Sequence, residues 1–351
     1  MNIKSPTHAP PTSSIKRGNV TVTLDMVAKL AGVSPSTVSR ILNSTAVVSG
    51  PKKQAVDEAI ARLGFVPNPM ARGLAGGRTL SIGVVTQAID SPFYGAALRG
   101  IEDALDPAGY SPLFVSGHWN ADIEARCIDV LRSRRVDGII VLTGRLTDQA
   151  LKTCAKSLPV VVTGRSLKAP GLFALNFDNF EGGRLATQHL VDLGHQKIAF
   201  ISGDLNHPDA KERLRGYQAA LESAGIKFGP EWVAHGDYSE LGGLNAVNRL
   251  LDSGKKFTAV FASNDQMAYG ASLGLQRRSI RVPDDMSLVG FDDLPTSLFA
   301  NPPLSTIHQP AYELGQLASS AMLQLLSGVK PIAQLPAPIF ISRDSSGQLN
   351  Y

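Results

Sequence analysis

Apolar positions near the start of the chain recur at helical spacing. Between Val20 and Leu63 they fall at 24, 27, 28, 30 and 33, then at 38, 41 and 42, then at 56, 59, 60 and 63. That is the i, i+3, i+4 rhythm of helices burying one face, and it predicts three short helices in a compact unit over 20–66. The preceding residues 1–19, rich in Pro, Ser and Thr and poor in large apolar side chains, are expected to form a disordered extension. Its Lys16 and Arg17 could meet phosphate nonspecifically. Proline and glycine then punctuate "GFVPNPMARGLAGGRT", so 67–79 is expected to be a linker.

From Leu80 the rhythm changes. The apolar runs "LSIGVV", "SPLFV", "GIIVL", "PVVVTG", "KIAFISG", "FTAVFAS" and "MSLVGF" have the length and composition of buried strands. Between them, 95–108, 122–134, 148–157, 180–193, 211–224, 240–253 and 265–277 carry amphipathic helical patterns. Alternating strands and helices predict parallel sheets covered on both faces. About 265 residues of this kind are expected to divide into two lobes of similar size. The core is placed at 80–345 and a short tail at 346–351.

Charge sharpens this division. Residues 1–78 hold ten Lys or Arg against three acids, a net +7, and the remaining 24 bases and 27 acids leave −3. A polyanion would therefore favour the helical end.

The segment "VTLDMVAKLAGVSPSTVSRILN" supplies a geometry for such a partner. Leu24 to Leu30 form a first helix, and Ala31-Gly32-Val33 a tight turn with glycine where a positive φ is needed. Ser34 can cap a second helix that starts at Pro35, where a missing N–H costs least. A helix-turn-helix places the start of its second helix in the major groove, where short hydroxyl side chains let it seat and bond phosphates or base edges. Ser36, Thr37, Ser39 and Arg40 lie on that face, and Arg40 can reach a guanine with two hydrogen bonds. Spacing alone leaves an ordinary helical hairpin equally open.

The residues themselves go further. Val22-Thr23, Val27-Ala28, Ala31-Gly32-Val33-Ser34, Thr37-Val38-Ser39-Arg40 and Asn43 resemble the DNA-reading head of the LacI/GalR (lactose repressor) family of bacterial transcription regulators. The resemblance continues through "RLGFVPNPMARGLAGGRTLSIGVV" and more diffusely to residue 343. It implies an all-α helix-turn-helix head joined to an α/β, two-lobed, periplasmic-binding-protein-like core. It implies DNA contacts at Thr23, Ser34, Pro35, Ser36, Thr37, Ser39, Arg40 and Asn43, with Pro35 and Ser36 at the positions that set operator choice. Pro35 offers no donor, which leaves apolar contact such as a thymine methyl. The resemblance makes 67–79 a hinge helix that folds on DNA, with Leu74 wedged into the central CG step of a palindromic operator. Gly73 departs from the more helix-favouring residues often found beside that leucine and is expected to weaken the hinge.

Ligands of two-lobed α/β folds sit beyond the C-terminal ends of the strands. Phe93 and Tyr94 open a helix after the first strand, and Asp209 and Arg213 are one helical turn apart after "KIAFISG". Tyr238, Asn264 and Asp292 each follow a strand, and Arg165 is a further candidate. Carboxylates, an amide, a guanidinium and aromatic faces suit a polyhydroxylated ligand, because each hydroxyl both donates and accepts. The resemblance points to Arg213, Tyr238, Asn264-Asp265 and Asp292 as effector-binding, with Phe93 and Tyr94 lining the pocket.

The expected protein is thus a cytoplasmic homodimeric regulator, most readily a repressor of carbohydrate genes. It would bind double-stranded operator DNA and a small sugar, with the lobes shifting to transmit the signal. A purine-type corepressor is the alternative within the class, and a sugar-binding transport protein the alternative outside it. The latter would need an export signal, and the N-terminus lacks its apolar core. No apolar run approaches the ~18 residues of a membrane span. P-loop, dinucleotide, H-E-x-x-H and G-x-S-x-G signatures are absent and the seven histidines are scattered, so neither enzyme, metal nor cofactor is expected. Cys127 and Cys154 are expected to be small buried residues. The ending "DSSGQLNY", without leucine heptads, favours a dimer over a tetramer.

Overall fold

The computed structural model describes residues 22–42, 48–66 and 77–349. Its contacts divide the chain into two compact units, Met1–Thr79 and Leu80–Tyr351.

The first unit contains α1 (Leu24–Ala31), α2 (Pro35–Leu42) and α3 (Gly50–Leu63). The Thr23 hydroxyl accepts the Met26 N–H to start α1, and Gly32 ends it in the left-handed region at φ 64°. Ser34 Oγ accepts the Thr37 N–H at 3.3 Å, as a cap for α2 should. Val27, Ala28, Val38, Val56 and Ala59 are buried at the centre, with Leu24, Ile41, Leu42 and Phe65 packed around them. Every one of these residues lies on the apolar faces that periodicity marks, or at their edge.

The second unit holds two parallel sheets. In the first the order is β2-β1-β3-β4-β5, from β1 (Ser81–Thr86), β2 (Ser111–Ser116), β3 (Gly138–Val141), β4 (Val160–Thr163) and β5 (Leu172–Leu175). In the second, β6 (Ile198–Ser202), β7 (Val233–His235), β8 (Ala259–Ala262) and β9 (Ser287–Val289) are ordered β7-β6-β8-β9. All pairs within both sheets are parallel. The helices are α4 (Pro92–Leu105), α5 (Ala121–Ser133), α6 (Asp148–Ala155), α7 (Asn179–Asp192), α8 (Pro208–Ser223), α9 (Glu240–Asp252) and α10 (Asp265–Arg277). Each matches a helix expected from the pattern, with ends shifted by a few residues.

Five elements escape that pattern: β5, β7, the antiparallel pair β10 (Thr306–His308) and β11 (Ile339–Ile341), and α11 (Ala311–Leu326). The four strands are only three or four residues long, too short to show a period. The helix α11 leaves the second sheet and returns to the first, packing on α4 and on β3 and β4. Gly315 faces the Ala97 carbonyl and Gly100 the Tyr312 carbonyl so closely that a Cβ at either would stand about 2 Å from backbone oxygen. The lobes are therefore interleaved in sequence rather than consecutive.

Two further expectations need correction. "SPLFV" is an edge strand, with Leu113 and Phe114 exposed, because only β1 pairs with it. The segment after 345 is bound to the core as far as it is described, not a free tail. Gly347 N–H donates to Ser287 Oγ, Ser346 Oγ lies 2.8 Å from Ser305 Oγ, and Leu349 N–H donates to the Leu193 carbonyl. Cys127 and Cys154 are free, the former half-buried. Among the described residues no helix is long and apolar enough to cross a membrane, and no group of His, Cys, Asp or Glu could hold a metal.

Candidate DNA-reading face and effector cleft

On α2 the apolar Val38 is fully buried while Pro35, Ser36 and Arg40 are exposed and Thr37 and Ser39 are half-buried. Ser34 Oγ lies 2.9 Å from both Ser36 Oγ and Thr37 Oγ1, so the hydroxyls form one cluster at the start of the helix. Arg40 makes no ion pair among the described residues and extends from the last turn. Thr23 is exposed at the start of α1, where its hydroxyl already serves the helix cap. Asn43 and Leu74 lie outside the described residues.

In the second unit a cavity of about 380 Å³ opens at the C-terminal ends of the strands. It collects all seven expected side chains: Phe93, Tyr94, Asp209, Arg213, Tyr238, Asn264 and Asp292. Arg165 is not among its lining residues. It is held in the first lobe by the Leu146 carbonyl at 2.6 Å, the Gly144 carbonyl and Asp148.

Arg213 is the hub. It is buried on α8, where Gly183 of α7 lets the two backbones meet at that residue. Its Nε donates to Asn179 Oδ1 and one Nη to Gln309 Oε1, both at 2.8 Å, and the other Nη donates to the Ser263 carbonyl. That Nη also stands 3.6 Å from Asp292 Oδ1, and the Phe291 ring lies 3.6 Å from the guanidinium carbon. Burial pushes the Asp292 carboxyl well above the usual carboxylate range, opposed by Arg213. Burial also raises Asp209, opposed by Arg213 and Arg165. Both carboxyl groups line the cavity, within reach of a ligand's hydroxyls. Asn264 is largely committed to architecture, since its Oδ1 accepts the Met267 N–H and its Nδ2 donates to the Tyr238 carbonyl.

Four lining residues that are not glycine have left-handed backbones: Trp119 (φ 54°), Thr143 (φ 44°), Tyr238 (φ 70°) and Asp292 (φ 114°). Such strain persists only where surrounding structure enforces it. Asp265, fully buried beneath the Asp292 turn, does so by accepting from the Leu294 N–H, Ser297 Oγ and Thr306 Oγ1.

Sequence reasoning missed Trp119, Thr143, Phe177, Asn179, His207 and Gln309. Trp119 and Thr143 follow β2 and β3, whose apolar runs are visible in the sequence, so the rule that flagged Tyr238 could have found them, whereas Phe177 follows β5, which has no such run. Gln309 follows β10, which has no sequence signature. Asn179 opens α7 just past β5, which has none either.

Residues 23–68 match the model of bacterial regulatory proteins of the lacI family, and residues 79–341 that of periplasmic binding proteins and the sugar binding domain of the LacI family. The chain belongs to the LacI family. This LacI-family protein is 36% identical over 307 residues to the HTH-type transcriptional repressor PurR of Haemophilus influenzae, covering 87% of this chain and 91% of the relative. It is 34% identical to catabolite control protein A of Priestia megaterium over 90% of this chain and 96% of that one. Among solved structures it resembles a Lac repressor dimer bound to operator and the anti-inducer ONPF, with a TM-score of 0.85 and 32% identity over 93% of this chain and 99% of that one. It also resembles the transcriptional regulator CelR in complex with cellobiose, with a TM-score of 0.70 and 32% identity over 93% of this chain and all of that one. LacI-family membership makes it a transcriptional regulator rather than a member of an enzyme family.

Proposed function

We propose that the protein is a cytoplasmic homodimeric repressor of carbohydrate genes whose hold on a palindromic operator is controlled by a small sugar in the cleft. The observation that carries the sugar is the buried Arg213, 3.6 Å from Asp292, sharing with Asp209 a cavity walled by Tyr94, Trp119, Tyr238 and Phe93. Hydroxyls can donate to the carboxylates and accept from an amide, and aromatic walls can lie against the C–H faces of a sugar ring. The sugar-bound CelR and the operator-bound Lac repressor dimer support both halves of the reading. Pro35, Ser36, Thr37, Ser39 and Arg40 read bases or phosphates, and Thr23, Ser34 and Asn43 make further DNA contacts. Leu74 wedges the central CG step. We assign the chain no catalytic activity and no cofactor.

By linkage, whatever free energy the sugar uses to weaken operator binding weakens sugar binding on the operator equally, typically ~1–3 kcal/mol. The test selects random duplex DNA with the purified protein at fixed salt and then titrates the recovered operator complex with sugars. A palindrome centred on CG, released by a sugar, is the expected result. Enrichment of no sequence, with or without a metabolite pool, overturns the operator reading. A palindrome bound more tightly on ligand addition replaces the inducer with a corepressor.

A further inference from the structure

Beneath the cleft lies Gln87, a polar side chain that never reaches it. It sits just past β1, 1% exposed, and its amide spends both ends on backbone of two different loops. Nε2 donates to the Thr143 carbonyl at 2.8 Å, after β3, and Oε1 accepts the Trp119 N–H at 2.9 Å, after β2. A carbonyl can only accept and a backbone N–H can only donate, so the site requires one donor and one acceptor on the same side chain. Glutamate, methionine or leucine of similar length would leave at least one buried partner unmade.

The two residues that Gln87 holds are both strained and both line the cavity. His118 and Trp119 are consecutive left-handed residues with φ of 49° and 54°, and Thr143 has φ 44°. Gly117 and Gly144 flank them, and a Cβ on either would collide with Gln87 or with the buried Glu124. Glu124 in turn accepts the Arg145 and Leu146 N–H groups at 2.9 Å. Sequence, backbone strain and packing thus converge on two loop conformations.

Those loops reach the other lobe. The Trp119 ring meets the ring of His207, which follows β6, with centroids 4.0 Å apart and planes at 87°, and it meets Tyr94 on its own lobe at 6.1 Å. Burial pushes His207 down to about 4, so at neutral pH the indole meets an uncharged ring. Beside them Arg145 pairs with Asp204 across the same mouth.

We propose that Gln87 is a positioning residue of the effector cleft, fixing Trp119 as the wall that closes on His207 and decides which small molecule is accepted. The selectivity half of this inference rests on the effector reading above. The positioning half does not.

The experiment uses the full chain with Trp232→Phe, which leaves Trp119 as the sole tryptophan. Gln87→Met and Gln87→Glu are compared with this parent at neutral pH by acrylamide quenching of Trp119 emission, with circular dichroism to confirm folding. Emission titrations with D-ribose and with cellobiose follow. Gln87→Met is expected to lose protection from quenching. It should also change the ribose-to-cellobiose affinity ratio by about fivefold or more, the scale of one buried hydrogen bond left unmade. Gln87→Glu, which keeps the acceptor for Trp119, should retain most of the protection. A purely structural glutamine would weaken both sugars alike and leave their ratio fixed, and that result, or unchanged quenching in Gln87→Met, overturns the proposal. If Gln87→Met fails to fold, Gln87→Glu decides: protection kept with the ratio changed supports it, and both unchanged or protection lost sinks it. If neither sugar binds the parent, the sugar reading fails, and the quenching comparison alone still decides whether Gln87 positions Trp119.

Discussion

The head and the core solve different problems of assembly. The head's apolar centre of Val27, Ala28, Val38, Val56 and Ala59 is made by three helices close in sequence, and its candidate reading face is one continuous run from Ser34 to Arg40. The core's cavity draws its lining from Ala88 to Leu335, so neighbours in the site are often far apart in the chain. A local site can be read from spacing. A distributed one needs every intervening element to be placed.

The largest effect should come from breaking the head. Val38→Asp puts an unpaired carboxylate at a fully buried position, a cost on the order of 4 kcal/mol. A unit this small has only about 3–5 kcal/mol to lose. Calorimetry should show the head transition vanish, operator binding should disappear, and the core transition should persist. A core that melts with the head would contradict their independence.

Next comes the hub of the cleft. Arg213→Ala leaves Asp292, Asp209, Asn179 and Gln309 facing one another without their cation, and breaking a buried pair of this kind costs about 3 kcal/mol or more. Effector affinity measured by calorimetry should fall about a hundredfold or more. Retained affinity would place the effector elsewhere.

Asp265 sharpens the contrast through pH. Burial raises its carboxyl from 3.8 to about 6 despite hydrogen bonds from Ser297, Thr306 and Leu294. A raised acid contributes stability below its unfolded pKa and loses it as pH rises through the folded one. The loss should therefore fall between about 4 and about 6 and amount to about 3 kcal/mol. His207, lowered to about 4 by burial, acts in the opposite sense: its contribution is present above 6.5 and is lost as pH falls through about 4. The difference between wild type and Asp265→Asn in urea unfolding isolates the aspartate. A difference that does not vary from pH 4 to pH 6 would refute the assignment.

The smallest effect belongs to the exposed face. Arg40→Ala should leave the head folded and reduce preference for operator over random DNA by about 1–3 kcal/mol, the worth of a bidentate contact to guanine. Binding competition between the two DNAs measures it. Unchanged preference would reduce Arg40 to a phosphate contact.

Much of this was legible beforehand, and particular residues show why. Gly32 and Ser34 act within a few residues of themselves, so turn and cap followed from residue type. All seven expected cleft residues line the cavity because strand ends mark where such folds bind: Tyr238, Asn264 and Asp292 come shortly after strands, and Phe93, Tyr94, Asp209 and Arg213 sit on the helices that follow them. Asn264 shows the limit: its position was legible, but its side chain serves mainly the α10 cap and the Tyr238 carbonyl. Arg165 shows another, since its guanidinium turns to carbonyls of its own lobe instead of the cavity.

The two units, the alternation of strands and helices, the exposed hydroxyl-bearing face of α2 and the positions beyond the strand ends were written in the sequence, because periodicity, caps and residue chemistry act over a few neighbours. Only the tertiary structure decided that α11 returns to the first sheet, that Asn179 and Gln309 share Arg213, and that Gln87 holds Trp119 against the opposite lobe. Those contacts join residues tens to hundreds of positions apart. Their energy exists only once both partners are buried together, so no local pattern can encode which partner each will find.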